Sequence, residues 1–459
     1  MADLSSEIQC YFLNSFATKF MLNKLNFTEV DQQAITLNEI IQKSNPSIFE
    51  LLADRGKNIF FPKLGILAQS AQAKGKEINA TIGEAVEDNG HPMHLAELGN
   101  LINLPDSAVF PYAPSFGKPD LRNSWKAFIY KKNPSLGDTT ISMPIATNGI
   151  THGISISSYL FVDEGDTVIV PDLYWENYAL IFENSYLGKI DNFPLFYNGG
   201  FNHSALEKKM DQSSGKIILV LNFPNNPSGY TPLESEIDGI INLVEAQAKK
   251  GKNVVVMIDD AYFGLVYEKN VFTESIFTRL ATLSENVLAV KLDGATKEDY
   301  VWGFRVGFIT YGVKNGSAAL YEAMENKTAG AVRGNISNIS HLSQSLLQKV
   351  YASENYDKSK LEKFHILHSR YEKIKQVLAN PKFNRYFSAL PFNSGYFMCI
   401  QLKDGLIAEE VRRILLEKYS TGVIVFGNLI RIAFSAVPEE KIPQLIENIH
   451  LACQDFSGK

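Results

Sequence analysis

Four short groups in this 459-residue chain have residue types capable of chemistry: Asn226-Pro-Ser-Gly229, Asp259-Asp-Ala-Tyr262, Thr296-Lys297 and Arg305. A lysine amine attacks carbonyl carbon and, once free, can move a proton. A carboxylate beside a weakly basic nitrogen favours its cationic form. A guanidinium matches phosphate or carboxylate with two parallel hydrogen bonds. Taken singly, each group has a plainer reading. Asn-Pro-Ser-Gly is a common turn, Asp259 can cap the turn after it, and Tyr262 can be an edge-packed aromatic. A lone lysine is ordinarily a solvated surface residue. Their ordered placement, the first three each following an apolar run and Arg305 eight residues beyond the lysine, separates them from that background.

Those runs define the elements that must hold the groups. Asp166–Pro171, Lys216–Asn222, Val254–Asp259, Val287–Lys291 and Val306–Thr310 are short and mostly apolar, as strands covered on both faces should be. Amphipathic stretches separate them, among them a helix expected over 234–250 that ends in Lys249-Lys250-Gly251. This alternation predicts a mostly parallel α/β sheet flanked by helices, whose ligands gather beyond the carboxyl ends of the strands. Residues 340–380 read as one or two long helices. The last eighty residues mix strands at 395–402 and 429–434 with helices at 407–418 and 438–452, the pattern of a smaller α+β domain. The expected division is an N-terminal arm over 1–45, a small domain from 46–89 and 366–459, and a large domain over 90–365.

Composition narrows the class. Hydrophobic residues make up 45% and charged residues 20%, a globular balance, and the net charge of −6 disfavours nucleic acid as a partner. Cys10, Cys399 and Cys453 are too far apart in sequence for a paired zinc or redox motif, so no metal is expected and a reducing, cytoplasmic setting fits. No apolar run approaches a membrane span, and the N-terminus lacks the pattern of an export signal.

In their order and spacing the four groups resemble the class I/II aminotransferases, pyridoxal-phosphate (PLP) enzymes of fold type I, over residues 75–437. These carry an Asn-Pro-[Thr/Ser]-Gly turn, an Asp-x-Ala-Tyr segment, a [Ser/Thr]-Lys pair and an arginine eight residues later. The resemblance implies that Lys297 holds the cofactor as a Schiff base and shuttles a proton at the substrate Cα. It also implies that Asp259 keeps the pyridine nitrogen protonated, that Asn226 and Tyr262 hydrogen-bond the phenolic oxygen, and that Arg305 binds the phosphate. Thr147-Asn-Gly-Ile-Thr-His-Gly153, before a helix expected over 154–161, would cradle that phosphate with the N–H groups of Gly149, Ile150 and Thr151. In Val170-Pro-Asp-Leu-Tyr-Trp-Glu-Asn-Tyr178 the resemblance assigns the ring-stacking aromatic to Trp175, with Tyr174 as the alternative.

Substrate contacts are implied by the same resemblance. Arg431, a charge inside the apolar Ile430-Arg-Ile432, would clamp the α-carboxylate, with Asn226 and with Gly83 of Asn79-Ala-Thr-Ile-Gly-Glu84 closing over it; a buried ion pair and a plain turn are the alternatives. Tyr112, in Phe110-Pro-Tyr-Ala-Pro-Ser-Phe-Gly117, resembles a tyrosine that reaches the cofactor phosphate of a partner subunit. Arg333-Gly-Asn-Ile-Ser-Asn338 resembles a segment supplying an arginine for a distal carboxylate and a serine, Ser337, for the phosphate. A homodimer with shared sites is implied. So is amino transfer between an amino acid, acidic or aromatic, and a 2-oxo acid by a ping-pong route. A β-lyase, decarboxylase or synthase reaction on the same cofactor is the alternative, and a non-catalytic PLP-binding sensor a more distant one. Two positions depart from the family pattern. Gly294 stands where a phosphate-binding serine is frequent, so that one phosphate hydroxyl is either missing or replaced by that of Thr296, and Asp260 stands where an apolar or aromatic residue is common.

Overall fold

The structure, a computed structural model, describes residues 31–44, 46, 49, 52, 54–59, 66–96 and 104–458. Within the expected N-terminal arm, Gln32–Ser44 is helical; the rest of that expectation, over 1–30, lies outside the described residues.

The larger sheet has seven strands: β1 (Ile145–Thr147), β2 (Thr167–Pro171), β3 (Lys189–Phe193), β4 (Ile217–Asn222), β5 (Val254–Asp259), β6 (Val287–Gly294) and β7 (Gly307–Gly312). Their order is β1-β7-β6-β5-β4-β2-β3. The five strands β6-β5-β4-β2-β3 pair in parallel along that order, whereas β7 is antiparallel to both β6 and β1. All six residues of β4 are buried, as are all six of β7, which accounts for their unbroken apolar reading. β3, Lys-Ile-Asp-Asn-Phe, escapes that reading because it is the edge strand and keeps polar residues toward water.

A second sheet of four antiparallel strands takes in β8 (Phe387–Ala389), β9 (Phe397–Leu402), β10 (Ile424–Phe426) and β11 (Leu429–Ala433), in the order β8-β9-β11-β10. The segment 78–86 is tied to it: Ile78–Asn79 pairs with Thr421–Gly422, and Ala433 N–H donates to the Ala80 carbonyl at 2.9 Å.

Five helices frame the space between the sheets or brace its walls: α1 (Pro119–Lys132), α2 (Gly149–Phe161), α3 (Glu234–Lys249), α4 (Tyr356–Leu378) and α5 (Ile442–Ser457). α3 matches its expected span to within a residue. α2 begins five residues before its expected start at Ile154. Glycines at 149 and 153 made that stretch look like a loop, but a Cβ at Gly153 would lie 3.3 Å from Leu292 Cδ2; the residue lets the helix settle close on the sheet. α4 passes from the larger sheet to the smaller, where it packs against α5.

Candidate active site between the two sheets

The antiparallel β7 explains why distant residues converge. In parallel strands the carboxyl ends Asn222, Asp259 and Leu292 come level, since Asn222 pairs with Asp259 and Asp259 with Leu292. β7 runs the other way, so its start, Gly307, lies beside Gly294 at the end of β6 and Thr147 at the end of β1. Arg305, two residues before β7, therefore meets the N-terminus of α2 and the Lys297 turn at one edge.

That edge opens into a cavity of about 670 Å³, closed on its other side by the smaller sheet. Of the expected site residues, Ile150, Thr151, Trp175, Asn226, Asp259, Tyr262, Thr296, Lys297 and Arg305 line it from the larger sheet, and Gly83 and Arg431 from the smaller. Gly149 lies immediately beneath, with φ +79°; a Cβ there would come within 2.5 Å of the Arg305 Nη2, so only glycine lets the guanidinium lie against the helix start. Trp175, not Tyr174, faces the cavity; Tyr174 stacks parallel on Tyr178 instead. Gly83 has no such steric need, because a Cβ there would make an ordinary 3.5 Å contact with Phe397. Tyr112, 90% exposed, and the exposed Arg333 and Ser337 stand outside the cavity lining of this chain.

Asp259 is buried. Tyr178 donates its phenolic proton to one carboxylate oxygen at 2.5 Å, and the Ala261 N–H donates to the other at 3.1 Å. Burial raises the Asp259 pKa, with Tyr178, Lys297 and the Ala261 N–H acting against it. Burial also raises the Tyr178 pKa, with the Asp259 charge adding to the shift, so the phenol remains a donor. Asn222, at the end of β4, locks this corner: its Nδ2 donates to the Asp259 carbonyl at 2.7 Å while its Oδ1 accepts from the Asn226 N–H at 2.7 Å.

Lys297 projects into the cavity with its Nζ 5.3 Å from the Tyr262 ring centre. Removal from water lowers its pKa and Arg305 adds to the lowering, while Asp259 opposes it. Arg431, in β11, lies over the Phe397 ring at 4.5 Å and donates to Asn226 Oδ1 at 3.2 Å and to the Thr81 carbonyl at 3.1 Å. Three buried polar atoms of the lining have no hydrogen-bond partner among the described residues, Thr296 Oγ1, Trp302 Nε1 and Arg431 Nε. Leaving such groups unpaired is costly, and all three belong to residues that line the cavity.

Both departures from the family pattern have a structural reason. A Cβ at residue 294 would fall 2.6 Å from the Gly307 Cα and 2.7 Å from the Val306 carbonyl, so no serine fits where β6 and β7 press together. The unpartnered hydroxyl of Thr296 is available nearby. Asp260 faces away from the cavity and accepts from Lys291 and from Ser275, the latter at 2.6 Å, which makes a buried carboxylate tolerable.

Sequence reasoning gave no role to Tyr178, Asn222, Thr81 or Phe397. Tyr178 was within reach, three residues after Trp175 in the same segment. The others show only in three dimensions, because a backbone carbonyl and a strand phenylalanine carry no local signature of their partners.

PLP passes a test of fit. An arginine laid against a glycine-started helix, an orphaned threonine hydroxyl, a buried carboxylate and a desolvated lysine amine are the donor set for a phosphorylated pyridine aldehyde. Among known proteins, the probable aspartate aminotransferase of Methanocaldococcus jannaschii is 27% identical over 50% of this chain and 56% of its own length. The aspartate aminotransferase of Thermotoga maritima is 29% identical over 54% and 61%. The chain thus spans little more than half the length of these curated relatives. The crystal structure of an aminotransferase from Anaerococcus prevotii superposes with a TM-score of 0.78 at 26% identity, over 87% of this chain and 98% of that one. The cytoplasmic aspartate aminotransferase of Saccharomyces cerevisiae, at 17% identity and a TM-score of 0.72, has the same fold. The profile for aminotransferase class I and II matches residues 78–449, most of the sequence. Since that match takes in both sheets and every residue that lines the cavity from them, the chain belongs to the class I and II aminotransferase family.

Proposed function

We propose that this protein is a PLP-dependent aminotransferase that moves an amino group between an amino acid and a 2-oxo acid in a ping-pong cycle. The observation that carries the reading is the single cavity in which Lys297, Asp259, Arg305 and Arg431 meet. When bound, PLP supplies an aldehyde that condenses with amines and a ring that draws electrons from the substrate Cα. The chain's own residues divide the remaining work. Lys297, its amine driven toward the neutral form by desolvation, anchors the aldehyde and then carries a proton at Cα. Asp259, whose carboxylate accepts from Tyr178 and the Ala261 N–H against the effect of burial, would hold the pyridine proton. Arg305, the N–H groups of Gly149, Ile150 and Thr151, and the Thr296 hydroxyl would hold the phosphate. Trp175 would stack on the ring, with Asn226 and Tyr262 donating to its phenolic oxygen. Arg431, with Asn226 and Gly83, receives the α-carboxylate.

In this reading the protein works as a homodimer whose partner completes the site, which gives a use to the exposed Tyr112, Ser337 and Arg333. Residues 46–89 with 366–459 act as the small domain and 90–365 as the large one. Acidic substrates are supported by relatives named aspartate aminotransferases, with aromatic ones next. Among the described residues no helix is long and apolar enough to cross a membrane, and a cytoplasmic site of action is part of the proposal.

The test is the absorbance of purified, PLP-loaded protein before and after single amino acids are added without an acceptor. Conversion of the visible band to the near-ultraviolet form by aspartate or glutamate, with release of the oxo acid, is expected. Binding of PLP with no such half-reaction from any amino acid would return the site to lyase, decarboxylase or sensor chemistry; no PLP binding at all would end the reading.

A further inference from the structure

Lys297 and Asp259 are each followed by an acid that turns its back on the cavity: Glu298 and Asp260. Both acids are buried and both are ion-paired. Glu298 is gripped by two lysines from helices far away in sequence, Lys132 at the end of α1, 2.6 Å away, and Lys360 in the first turns of α4, 2.9 Å away. Burial alone would push the Glu298 pKa up; the two ammoniums outweigh it and hold it down at about 2. Its neighbour Asp299 is gripped from the same side, by the hydroxyls of Tyr351 and Tyr356, each at 2.7 Å, and by Lys360 at 3.3 Å. The short turn Ala295–Glu298 that presents Lys297 is therefore bolted to the start of α4.

Ten residues further along α4, about 15 Å by helical rise, the buried Arg370 donates to the Ser435 carbonyl at 2.5 Å and to the Val86 carbonyl at 2.6 Å. Ser435 lies just beyond β11, the strand of Arg431, and Val86 just beyond the Gly83 segment. One rigid helix thus holds the lysine turn at one end and the two arms around the expected carboxylate seat at the other.

We propose that Glu298 is a positioning residue for Lys297, its paired charge with Lys132 and Lys360 coupling the lysine turn through α4 to the strand that carries Arg431. The proposal rests on the transamination reading above. A merely structural ion pair would alter stability and leave the chemistry of the folded enzyme alone. A positioning pair alters proton transfer at a lysine it never touches, because small displacements of a reacting group are expensive.

The experiment uses PLP-loaded full-length Glu298→Gln. The half-reaction with an amino acid should slow by about tenfold or more, with KM within about twofold, since Arg431 is untouched. The pH midpoint of the visible band should fall by about half a unit, because removing the carboxylate leaves two cations beside the lysine turn. Hydrogen exchange over 294–300 should quicken. A folded Glu298→Gln with wild-type rate and midpoint overturns the proposal. If that variant does not fold, Lys360→Met and Lys360→Arg decide: a slowed Lys360→Met with recovery in Lys360→Arg supports it, and equal rates overturn it. A wild-type protein that takes up no PLP fails the earlier reading instead, which keeps the two failures apart.

Discussion

Two regions on opposite sides of the β5–β6 edge use the same kinds of residue to opposite ends. Behind the wall, Lys291 sits between Asp260 and Asp293, Trp125 donates to Asp293 at 2.9 Å, and Glu298 is shared by Lys132 and Lys360. Every one of those charges has an opposite charge beside it. In front, Lys297 makes no ion pair among the described residues, Arg431 keeps an unpartnered Nε, and Thr296 an unpartnered hydroxyl. Paired burial holds shape, whereas unpaired burial stores an interaction that a ligand can complete. The difference separates scaffold from site more sharply than residue type does, since lysine, aspartate and glutamate supply both.

Substitutions on the two sides should therefore fail in different ways. The largest effect is expected from Lys297→Ala, which should lower the half-reaction rate by more than about 10³-fold and abolish the visible band while leaving the unfolding transition close to wild type. Lys291→Met should do the reverse. It strands two buried carboxylates and should lower stability by about 3–5 kcal/mol, read from denaturant unfolding of the loaded protein; an unchanged midpoint would break the comparison. Arg431→Met should reduce kcat/KM by about 100-fold, chiefly through KM, without loss of stability, because the charge it removes is buried and incompletely paired. Tyr178→Phe should be milder, about tenfold in kcat, with a rise in the Asp259 pKa seen as a shift in the alkaline direction of the acid limb of the rate profile.

The smallest effect is a pH slope. The pKa of Lys297 is lowered in the folded, cofactor-free protein, so the unfolded chain binds that proton more tightly. Stability should then rise with pH from the lowered folded value up to the ordinary lysine value of 10.5; below the folded value the slope vanishes and the cost of burying the amine is fully present. Subtracting a Lys297→Met titration isolates this contribution; equal slopes would mean that the amine is not desolvated.

Much of the site was legible because the chemistry uses rare combinations at strand ends, and strand ends are marked by apolar runs. Asn226, Asp259, Lys297 and Arg305 could be picked out because their order and spacing resemble the family's motifs, and Trp175 and Arg431 because their segments do. The helix start at Gly149 was misread because glycine signals a loop locally, while here it serves close approach, first of Arg305 and then, at Gly153, of the sheet. Tyr178 went without a role because a tyrosine near a tryptophan looks like core; its partner lies 81 residues away.

By itself the sequence determined the strand and helix types, the family motifs and the order in which reactive residues leave the sheet, since these depend on neighbours within a few positions. Tertiary structure alone decided that β7 runs antiparallel and so brings Arg305 back to the lysine. It also decided that of each adjacent pair, Asp259 with Asp260 and Lys297 with Glu298, one member faces the cavity and the other a salt bridge. The physical reason is that facing and pairing depend on which distant helices deliver a countercharge. Lys132 and Lys360 reach Glu298 across 166 and 62 residues of chain, a separation over which local sequence carries no information.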